Sequence, residues 1–345
     1  MVDLFCQRSQ NLIIIMFFSP DQKYFYPLLK PKKIMMKNNK LIIWLLLLLC
    51  SFNGIAQTND SDEVAPRTIF RNNEIRDLYP RRGKFFLFWG YNRSAYSHSN
   101  ISFRGNGYNF RINDIRASDD PSNLSSIYVN PTKFTIPQYN YRIGYFLNDK
   151  TFISFGSDHM KYTMVKQTTH LNGYINSGVN AGTYTNTEIV VGEESEVGHP
   201  GPSVIDNLPH GFVTSFEHCD GLNDFSFELG RLEQLWISRN HKHAFSVVGS
   251  AGIGMVIPDS DADVLGQPPK HDMDANKKAY HLAGYSFSAT MGLQFDFYKH
   301  FFILARLKAG YMNLPDINTT IYGGKASQHF EFIEPMIVWG YSFYL

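Results

Sequence analysis

The chain has 345 residues, enough for one large domain or two ordinary ones, and a formal net charge of +1 at pH 7. This balance argues against a nucleic-acid-binding protein, which normally carries a basic excess. Charged residues make up only 18% of the chain and aromatic residues 15%, yet the mean hydropathy is −0.24. These values are typical of chains in which apolar side chains that face outward alternate with polar ones.

The segment 37–57 predicts a secretory signal peptide. It has a basic start, an apolar run over 41–49 and small residues near Ala56, the expected cleavage site. The apolar run is too short to cross a bilayer as a helix. We therefore expect residues 36–56 to direct secretion and to be removed from the mature chain.

The leader as a whole is assigned to residues 1–56, and its upstream part is interpreted as an over-extended gene start. A genuine N-terminal extension over 1–34 is the alternative. Cys50 raises the question of lipidation, but it follows leucines, whereas a lipidated Cys normally follows small residues. Residues 57–83 are polar and charged, which predicts a tether with little fixed structure.

From residue 84 onward, eight segments alternate apolar and polar residues and predict β-strands. In chain order they are 84–96, 138–147, 151–165, 223–238, 243–256, 282–297, 301–313 and 328–345. The fourth segment loses its phase at Arg231 and Glu233, which predicts a bulge or a lumen-facing slip there. In the last segment, Pro335 cannot donate a hydrogen bond to a ladder, so we expect it near the outer rim of the fold.

The sixth segment, 282–297, has the clearest periodicity. Every second residue from Ala283 to Phe297 is apolar, and the residues between them are small or polar. Successive side chains of a strand point to opposite faces, so one face is apolar and the other polar. The pattern alone does not decide whether the apolar face meets lipid or a protein core.

The connections between the eight segments alternate long and short. The short ones are 148–150, 239–242 and 298–300. This asymmetry predicts an all-β fold, a closed antiparallel up-and-down transmembrane β-barrel of about eight strands over 84–345, with tight turns at one end and long loops at the other. Eight strands leave an interior about wide enough to be filled by side chains.

Charged residues occupy several inward positions of the predicted barrel. Charges in a narrow lumen need partners. The sequence therefore predicts a salt-bridged lumen network without an open pore, in which Glu334 is a further candidate. Its members are Arg142, Glu228, Asp296, Arg306 and Lys308.

The chain resembles the small eight-stranded outer-membrane β-barrel proteins of Gram-negative bacteria over about residues 84–345. The resemblance rests on the leader, the alternation and a last strand that ends in the aromatic stretch 341–345. Terminal strands of such barrels commonly end in an aromatic residue, which the barrel-assembly machinery recognises, whereas here the last residue is Leu345. The resemblance implies an outer-membrane location, a periplasmic tether, extracellular long loops, and contact with outer-membrane lipid and lipopolysaccharide.

Ser157 and His159 lie two residues apart and would share one face of the third strand. Activation of a Ser by a His is sound nucleophilic chemistry. The pair is similar to that of outer-membrane lipid A deacylases, which carry a Ser and a His at this spacing on a lipid-facing strand beside a carboxylate. Here the expected His-x-Ser order is reversed and no acidic partner can be named. A polar pair at the barrel rim is the alternative.

Asp259, Asp261 and Asp263 alternate in the connection before the sixth strand. Carboxylates at this spacing can bind Ca²⁺. Val264 stands where an EF-hand loop would place Gly, so an acidic solvated loop is the alternative. The sequence contains no phosphate loop, zinc motif or nucleotide fingerprint, and we expect no cofactor.

Four aromatic residues fall on the outward series of the first and last strands. Tyr and Trp favour the headgroup level of a membrane, so an interfacial girdle is a better interpretation than a ligand platform. The four residues are Trp89, Tyr91, Trp339 and Tyr341.

These patterns favour a structural or adhesive outer-membrane protein whose loops 97–136 and 166–222 form a contact surface for an extracellular partner. One alternative is an enzyme that acts on lipid A or phospholipid, which would need Ser157 and His159. Another is a carrier of a small apolar molecule, which would need a cavity between the outer ends of the strands.

Overall fold

The computed structural model describes residues 80–122, 125–128, 137–176, 178, 180–193, 201–202, 208–240, 242–267, 269, 280–298 and 300–345. The predicted leader and the tether before Pro80 lie outside these residues. In the part of the chain that the structure describes, a single 3₁₀ turn, Ser126–Tyr128, interrupts the strands. Within the described ranges, none of the helices is long and apolar enough to cross a membrane.

Seventeen strands account for most of this part of the chain. The first nine are β1 (Phe85–Asn92), β2 (Ala95–Tyr96), β3 (Ser99–Gly105), β4 (Tyr108–Ile115), β5 (Ala117–Ser118), β6 (Tyr139–Phe146), β7 (Thr151–Met164), β8 (Gln167–Ile175) and β9 (Gly182–Val191). The others are β10 (Gly201–Pro202), β11 (Pro209–His210), β12 (Val213–Ile237), β13 (His243–Pro258), β14 (Asp261–Val264), β15 (Gly284–Phe297), β16 (Phe301–Asn318) and β17 (Lys325–Phe343).

Eight of these strands form a ring in which each has two antiparallel neighbours. They are β1, β6, β7, β12, β13, β15, β16 and β17, and each pairs with the next one in this order. β1 also pairs with β17, from Phe85 opposite Phe343 to Asn92 opposite Met336, so the series has no unpaired end. Each of these strands overlaps one of the eight predicted segments, although β12 begins ten residues before the predicted start, and the predicted antiparallel all-β fold is confirmed.

Three short connections join ring strands at one end: 147–150, 238–242 and 298–300. We call this the short-loop end and the opposite one the long-loop end. The described end of the tether contacts the first of these turns, because the N–H groups of Arg81 and Arg82 donate to Asp149 Oδ1 at 2.8 and 3.1 Å. The bond from Arg82 has the larger effect on the carboxylate, and together the two bonds hold the pKa of Asp149 below its usual value.

The expectation of about eight strands is too low, because the long connections contain nine more. β3 pairs with the start of β17, where Ser102 lies opposite Ser327, and β4, β8 and β9 then extend this sheet edge to edge. β14 pairs with β12. Several of these strands are short, and their apolar residues become buried only against distant segments. Their local alternation was therefore too weak to separate them from loops.

The interior of the ring is apolar at the long-loop end. Buried side chains from β3, β4, β7–β9, β12–β14, β16 and β17 form one cluster there, which we call the long-loop cluster. Burial of each large apolar side chain stabilises the fold by about 1.5–3 kcal/mol. The cluster includes Ile101, Phe103, Phe110, Tyr162, Phe216 and Phe330.

A second apolar cluster fills the interior near the short-loop end, so the lumen is polar only in its middle. The prediction of inward polar positions missed this layer because it followed the charges and not the inward phenylalanines. We call it the short-loop cluster. It consists of Phe86, Phe88, Phe146, Phe152, Leu232, Val248, Phe302, Leu304, Met336 and Val338.

The outer face of the ring carries exposed apolar side chains around its middle, which we call the apolar belt. Phe227, Ile253 and Phe287 are 59%, 61% and 54% exposed. Ala289 also points outward but is only 5% exposed, because it lies in a surface groove beside Ala251, its cross-strand neighbour. A contiguous apolar surface of this kind marks contact with lipid or protein.

The phase of β12 does not change at Arg231 and Glu233, contrary to expectation. Leu232 between them is buried in the short-loop cluster, while Arg231 and Glu233 lie on the outer face and pair with each other at 2.6 Å. The register shifts of β12 fall elsewhere, between Gln234 and Trp236, between His218 and Leu222, and between Val213 and Ser215.

Pro335 lies where the neighbour of β17 changes. β1 ends opposite Met336 and β2 begins opposite Ile333, so Pro335 faces the break between them. Its carbonyl accepts from the N–H of Arg93 at 3.1 Å, and no ladder there requires the N–H that Pro lacks.

Candidate functional site

A layer of buried charges lies between the two apolar clusters. It is formed by side chains of β6, β7, β12, β16 and β17, and we call it the ionic layer. All its members are at most 6% exposed. They are Arg142, Asp158, Asp224, Glu228, Arg306, Lys308 and Glu334.

Glu228 binds both guanidinium groups of the layer. Its Oε2 lies 2.8 Å from Arg306 Nη2, and its Oε1 lies 3.0 Å from Arg142 Nη2. Ser250 Oγ donates a further hydrogen bond to Oε2 at 2.8 Å. Both carboxylate oxygens are thus occupied by donors, as a buried carboxylate requires.

Lys308 binds the two aspartates of the layer. Its Nζ lies 2.6 Å from Asp158 Oδ2 and 2.7 Å from Asp224 Oδ2. Ser286 Oγ donates a hydrogen bond to Asp224 Oδ1 at 2.6 Å, and Asp158 Oδ2 lies 3.5 Å from Arg142 Nη2. Asp158 therefore links the lysine to the arginines, so six of the seven members form one connected network. Glu334, the further candidate, accepts instead from Asn92 Nδ2 at 2.6 Å.

Asp296, which was predicted to belong to the same network, lies apart from it. It is buried nearer the short-loop end, where its Oδ2 pairs with Arg81 Nη2 at 3.2 Å. Sequence reasoning missed Arg81 because it assigned that residue to the tether. It also missed Asp158 and Asp224, although both follow the inward phase of their strands and could have been found by extending it.

Two glycines make room for these bulky side chains. A Cβ on Gly156 would approach Arg142 Cβ to 2.9 Å, and one on Gly254 would approach Asp224 Oδ1 to 2.1 Å. Side chains cannot approach so closely, so the glycines on neighbouring strands allow charged groups to fill the lumen.

Ser157 and His159 lie on the outer face of β7, above the apolar belt on the side of the long-loop end. His159 Nδ1 is 2.8 Å from Asn223 Oδ1 on β12, and its ring stacks on Tyr139 at 5.0 Å between centroids. The Asn223 amide is oriented by its Nδ2, which donates to Ile257 O at 3.2 Å. Its Oδ1 is therefore an acceptor, so His159 carries a proton on Nδ1 and a lone pair on Nε2 when neutral.

This tautomer is the one that a general base needs, and Asn223 is the orienting residue that the sequence did not reveal. It lies 64 residues from His159, and only the β7–β12 register brings the two together. No hydrogen bond joins Ser157 to His159 among the described contacts. Both side chains are at most 9% exposed, so a substrate would have to displace their neighbours.

The four predicted girdle aromatics lie at three successive levels of the outer face. In the β1–β17 ladder Trp89 lies opposite Trp339, Tyr91 lies one level nearer the long-loop end, and Tyr341 lies one level nearer the short-loop end. The ring centroids of Trp89 and Tyr91 are 4.6 Å apart, and those of Tyr91 and Trp339 are 6.5 Å apart. Tyr341 stacks on His300 with 5.5 Å between the ring centroids.

The three candidate calcium ligands do not converge on one point. Asp261 and Asp263 belong to β14, with Asp261 opposite Glu217 of β12, and Asp259 precedes them in a buried position. In the described ranges, no three His, Cys, Asp or Glu side chains are grouped so that they could hold a metal ion.

Comparisons with known proteins give structural neighbours only. No protein-family model and no curated protein sequence matches the chain. Among solved structures, it is similar to the outer membrane protein OprG from Pseudomonas aeruginosa, with 11% identity, a TM-score of 0.35, and coverage of 78% of this chain and 99% of that one.

Two further neighbours belong to the same broad class. The attachment invasion locus protein Ail of Yersinia pestis has 12% identity and a TM-score of 0.26, over 76% of this chain and 99% of that one. The outer membrane protein AlkL, solved in lipid bilayers, has 10% identity and a TM-score of 0.34, over 83% and 98%. All three are proteins of the class that the sequence resembles.

Proposed function

We propose that the eight-strand ring is a closed transmembrane β-barrel of the Gram-negative outer membrane, with a filled lumen and a structural or surface-interaction role. The observation that carries this proposal is the polarity of the ring, which has exposed apolar side chains outside and a connected layer of ion pairs inside. A water-soluble fold would have the reverse arrangement, whereas a membrane barrel requires this one.

The long-loop end is the proposed contact surface. The described strands of 97–136 and 166–222 cover the long-loop cluster. They therefore form a folded unit at this end, which we call the head. Its outward positions are polar, including Arg111 on β4 and His170 on β8, which are both exposed. The barrel-assembly machinery is the expected partner of the terminal segment 341–345.

The filled lumen predicts that the purified protein gives no large steady conductance in planar bilayers. Apolar clusters occupy the lumen at both ends, and ion pairs at 2.6–2.8 Å bridge its middle. Single-channel recording at neutral pH is the measurement, with a known porin as the positive control. A stable channel of about a nanosiemens would contradict the proposed filling, because an eight-stranded barrel admits one only if its interior is empty.

The contact role predicts that cells displaying the protein attach to partner surfaces through the polar face of the head. Arg111→Glu combined with His170→Glu should reduce attachment several-fold, because it removes the positive charge of Arg111 and adds two carboxylates to this face without touching its core. Attachment to plates coated with extracellular matrix is measured, and heat-modifiable gel migration verifies folding. Equal attachment by cells with and without the protein would contradict the role.

A second candidate function is hydrolysis of a lipid acyl ester, and the bond between Asn223 and His159 is the observation that favours it. His159 Nε2 would take the proton of Ser157 Oγ while Oγ bonds to the acyl carbon and the alcohol leaves with that proton. Water would then release the fatty acid. The outer groove beside the site, of about 910 Å³, is lined by Phe155 and Phe227 and would fit an acyl chain.

This candidate predicts fatty-acid release from vesicles of phosphatidylethanolamine or lipid A. Ser157→Ala should lower the rate by about 100-fold or more, since it removes the nucleophile. Ser327→Ala, an outward serine of β17, serves as the matched control and should keep the rate. If the native protein releases no more fatty acid than empty vesicles, the enzymatic function is wrong.

The carrier alternative has less support. The long-loop cluster fills the region between the outer ends of the strands, and the cavity beneath the ionic layer has a volume of about 30 Å³. Pockets for small organic ligands are about ten times larger or more.

A further inference from the structure

The lumen contains a small cavity between the ionic layer and the short-loop cluster. Its volume is about 30 Å³. About 10–15 Å³ of such volume holds one water molecule, so the cavity has room for a species somewhat larger than water. Arg142, Arg306 and Glu228 line one side, and aromatic and aliphatic side chains of the short-loop cluster line most of the other.

The arginines of this cavity have N–H groups in excess. Arg306 uses only Nη2 to bind both oxygens of Glu228, at 3.0 and 2.8 Å. Its Nε and Nη1 have no hydrogen-bond partner among the described atoms, and the same holds for Nε of Arg142. Arg142 and Arg306 are only 2% and 6% exposed, so bulk water does not satisfy these donors.

The acceptors that line the cavity are the carboxylate of Glu228 and the side chains of Gln294 and Ser342. The Glu228 oxygens already accept from Arg142, Arg306 and Ser250. The apolar side presents aromatic rings, and the Arg306 guanidinium carbon lies over the face of the Phe88 ring, 5.2 Å from its centre. A ligand here must accept several hydrogen bonds, which suits an anion better than a water molecule.

Most of the charged side chains that line the cavity are positive, which is the sign that attracts an anion. Two guanidinium groups face it with one carboxylate, and Arg81 also lines it from the short-loop end. Arg81 is itself paired with Asp296 at 3.2 Å, and Arg142 also reaches Asp158 at 3.5 Å. The ionic layer as a whole has three cations and four carboxyl groups, so an anion here would be held by the unpartnered N–H groups of Arg306 and Arg142 and not by an excess of positive charge.

We propose that this cavity binds one small monovalent anion of the halide class, held by Arg306 Nε and Nη1 and by Arg142 Nε. The anion joins the ionic layer to the short-loop cluster and completes the filling of the lumen. The inference depends on the lumen geometry and goes beyond the proposed surface role, which it does not require.

The direct test is diffraction from crystals of the full chain grown in sodium bromide, with data collected at the bromine absorption edge. We expect an anomalous peak within hydrogen-bond distance of Arg306 Nε and Nη1. Electron density at this position without an anomalous signal would identify water alone and overturn the proposal.

A second test measures the midpoint of thermal unfolding in detergent, in sodium bromide or in sodium gluconate at equal ionic strength. Because an anion that binds only the folded state stabilises it, the midpoint should rise by a few degrees and saturate with bromide. Arg306→Lys keeps the charge but removes two of the donors, so at least half of this rise should be lost.

Arg231→Lys is the matched control, because Arg231 lies on the outer face and pairs with Glu233 at 2.6 Å. It should keep the full bromide response. An identical response in the native protein and in Arg306→Lys would overturn the proposed site. If Arg306→Lys does not fold, the anomalous peak of the native protein decides the question.

Discussion

Replacing Lys308 by Met is expected to lower the free energy of unfolding by about 3–5 kcal/mol. Lys308 is fully buried, and its Nζ lies 2.6 Å from Asp158 Oδ2 and 2.7 Å from Asp224 Oδ2. Met has a similar length but no charge, so the variant leaves two carboxylates in the lumen without their cation. Urea unfolding in detergent micelles, followed by heat-modifiable gel migration, measures the loss.

Lys325→Met provides the matched control for this prediction. Lys325 Nζ pairs with Asp316 Oδ1 at 2.9 Å, but the side chains of the pair are 30% and 40% exposed. Partly exposed ion pairs contribute only about 0–1 kcal/mol. Adding Asp224→Asn to Lys308→Met should restore part of the stability by removing one unbalanced charge. Equal losses for Lys308→Met and Lys325→Met would contradict a structural role for the ionic layer.

Replacing Phe287 by Arg is expected to cost about 2–4 kcal/mol of membrane insertion, if the apolar belt meets lipid near the middle of the bilayer. Phe287 points outward from β15 and is 54% exposed. The fraction of protein that folds into lipid vesicles is measured. Tyr322→Arg, at a 68% exposed turn position of the long-loop end, is the control and should insert normally. Equal insertion of both variants would mean that the belt does not meet lipid.

Cysteine labelling separates lipid contact from burial against protein. In a Cys219→Ser background, a membrane-confined lipid-soluble probe should label Phe287→Cys and Met291→Cys but not Ser286→Cys, which is buried in the lumen. The simpler comparison of an Arg at Ala289 with one at Thr290 is not useful. Thr290 is buried opposite Lys308, so an added cation there would also be strongly unfavourable.

The sequence by itself determined the eight ring strands and, except at Arg231 and Glu233, the faces on which their side chains lie. Alternation with a period of two is a local property, so it can be seen without knowing any partner strand. It placed Arg142, Glu228, Arg306 and Lys308 in the interior and Phe287 on the outside. The three short turns also followed from the sequence, because a tight connection between two alternating segments requires them to be neighbours.

Only the tertiary structure decided which residues meet. Lys308 and Asp158 are 150 residues apart, and His159 and Asn223 are 64 apart. Such contacts depend on the register between strands and on which ring neighbours face each other across the lumen. The alternation of one strand carries no information about either. Asp296 was assigned correctly to the inward face but wrongly to the network, because its height along the lumen depends on the same register.

The strands of the long connections also needed the tertiary structure. β3 and β4 have an apolar face, but each is short, and their burial comes from β7, β12, β16 and β17 in the long-loop cluster. A segment whose stability depends on distant packing has a weak local signal. The ring strands, in contrast, alternate over long stretches because each keeps one face toward the lumen and the other toward the outside.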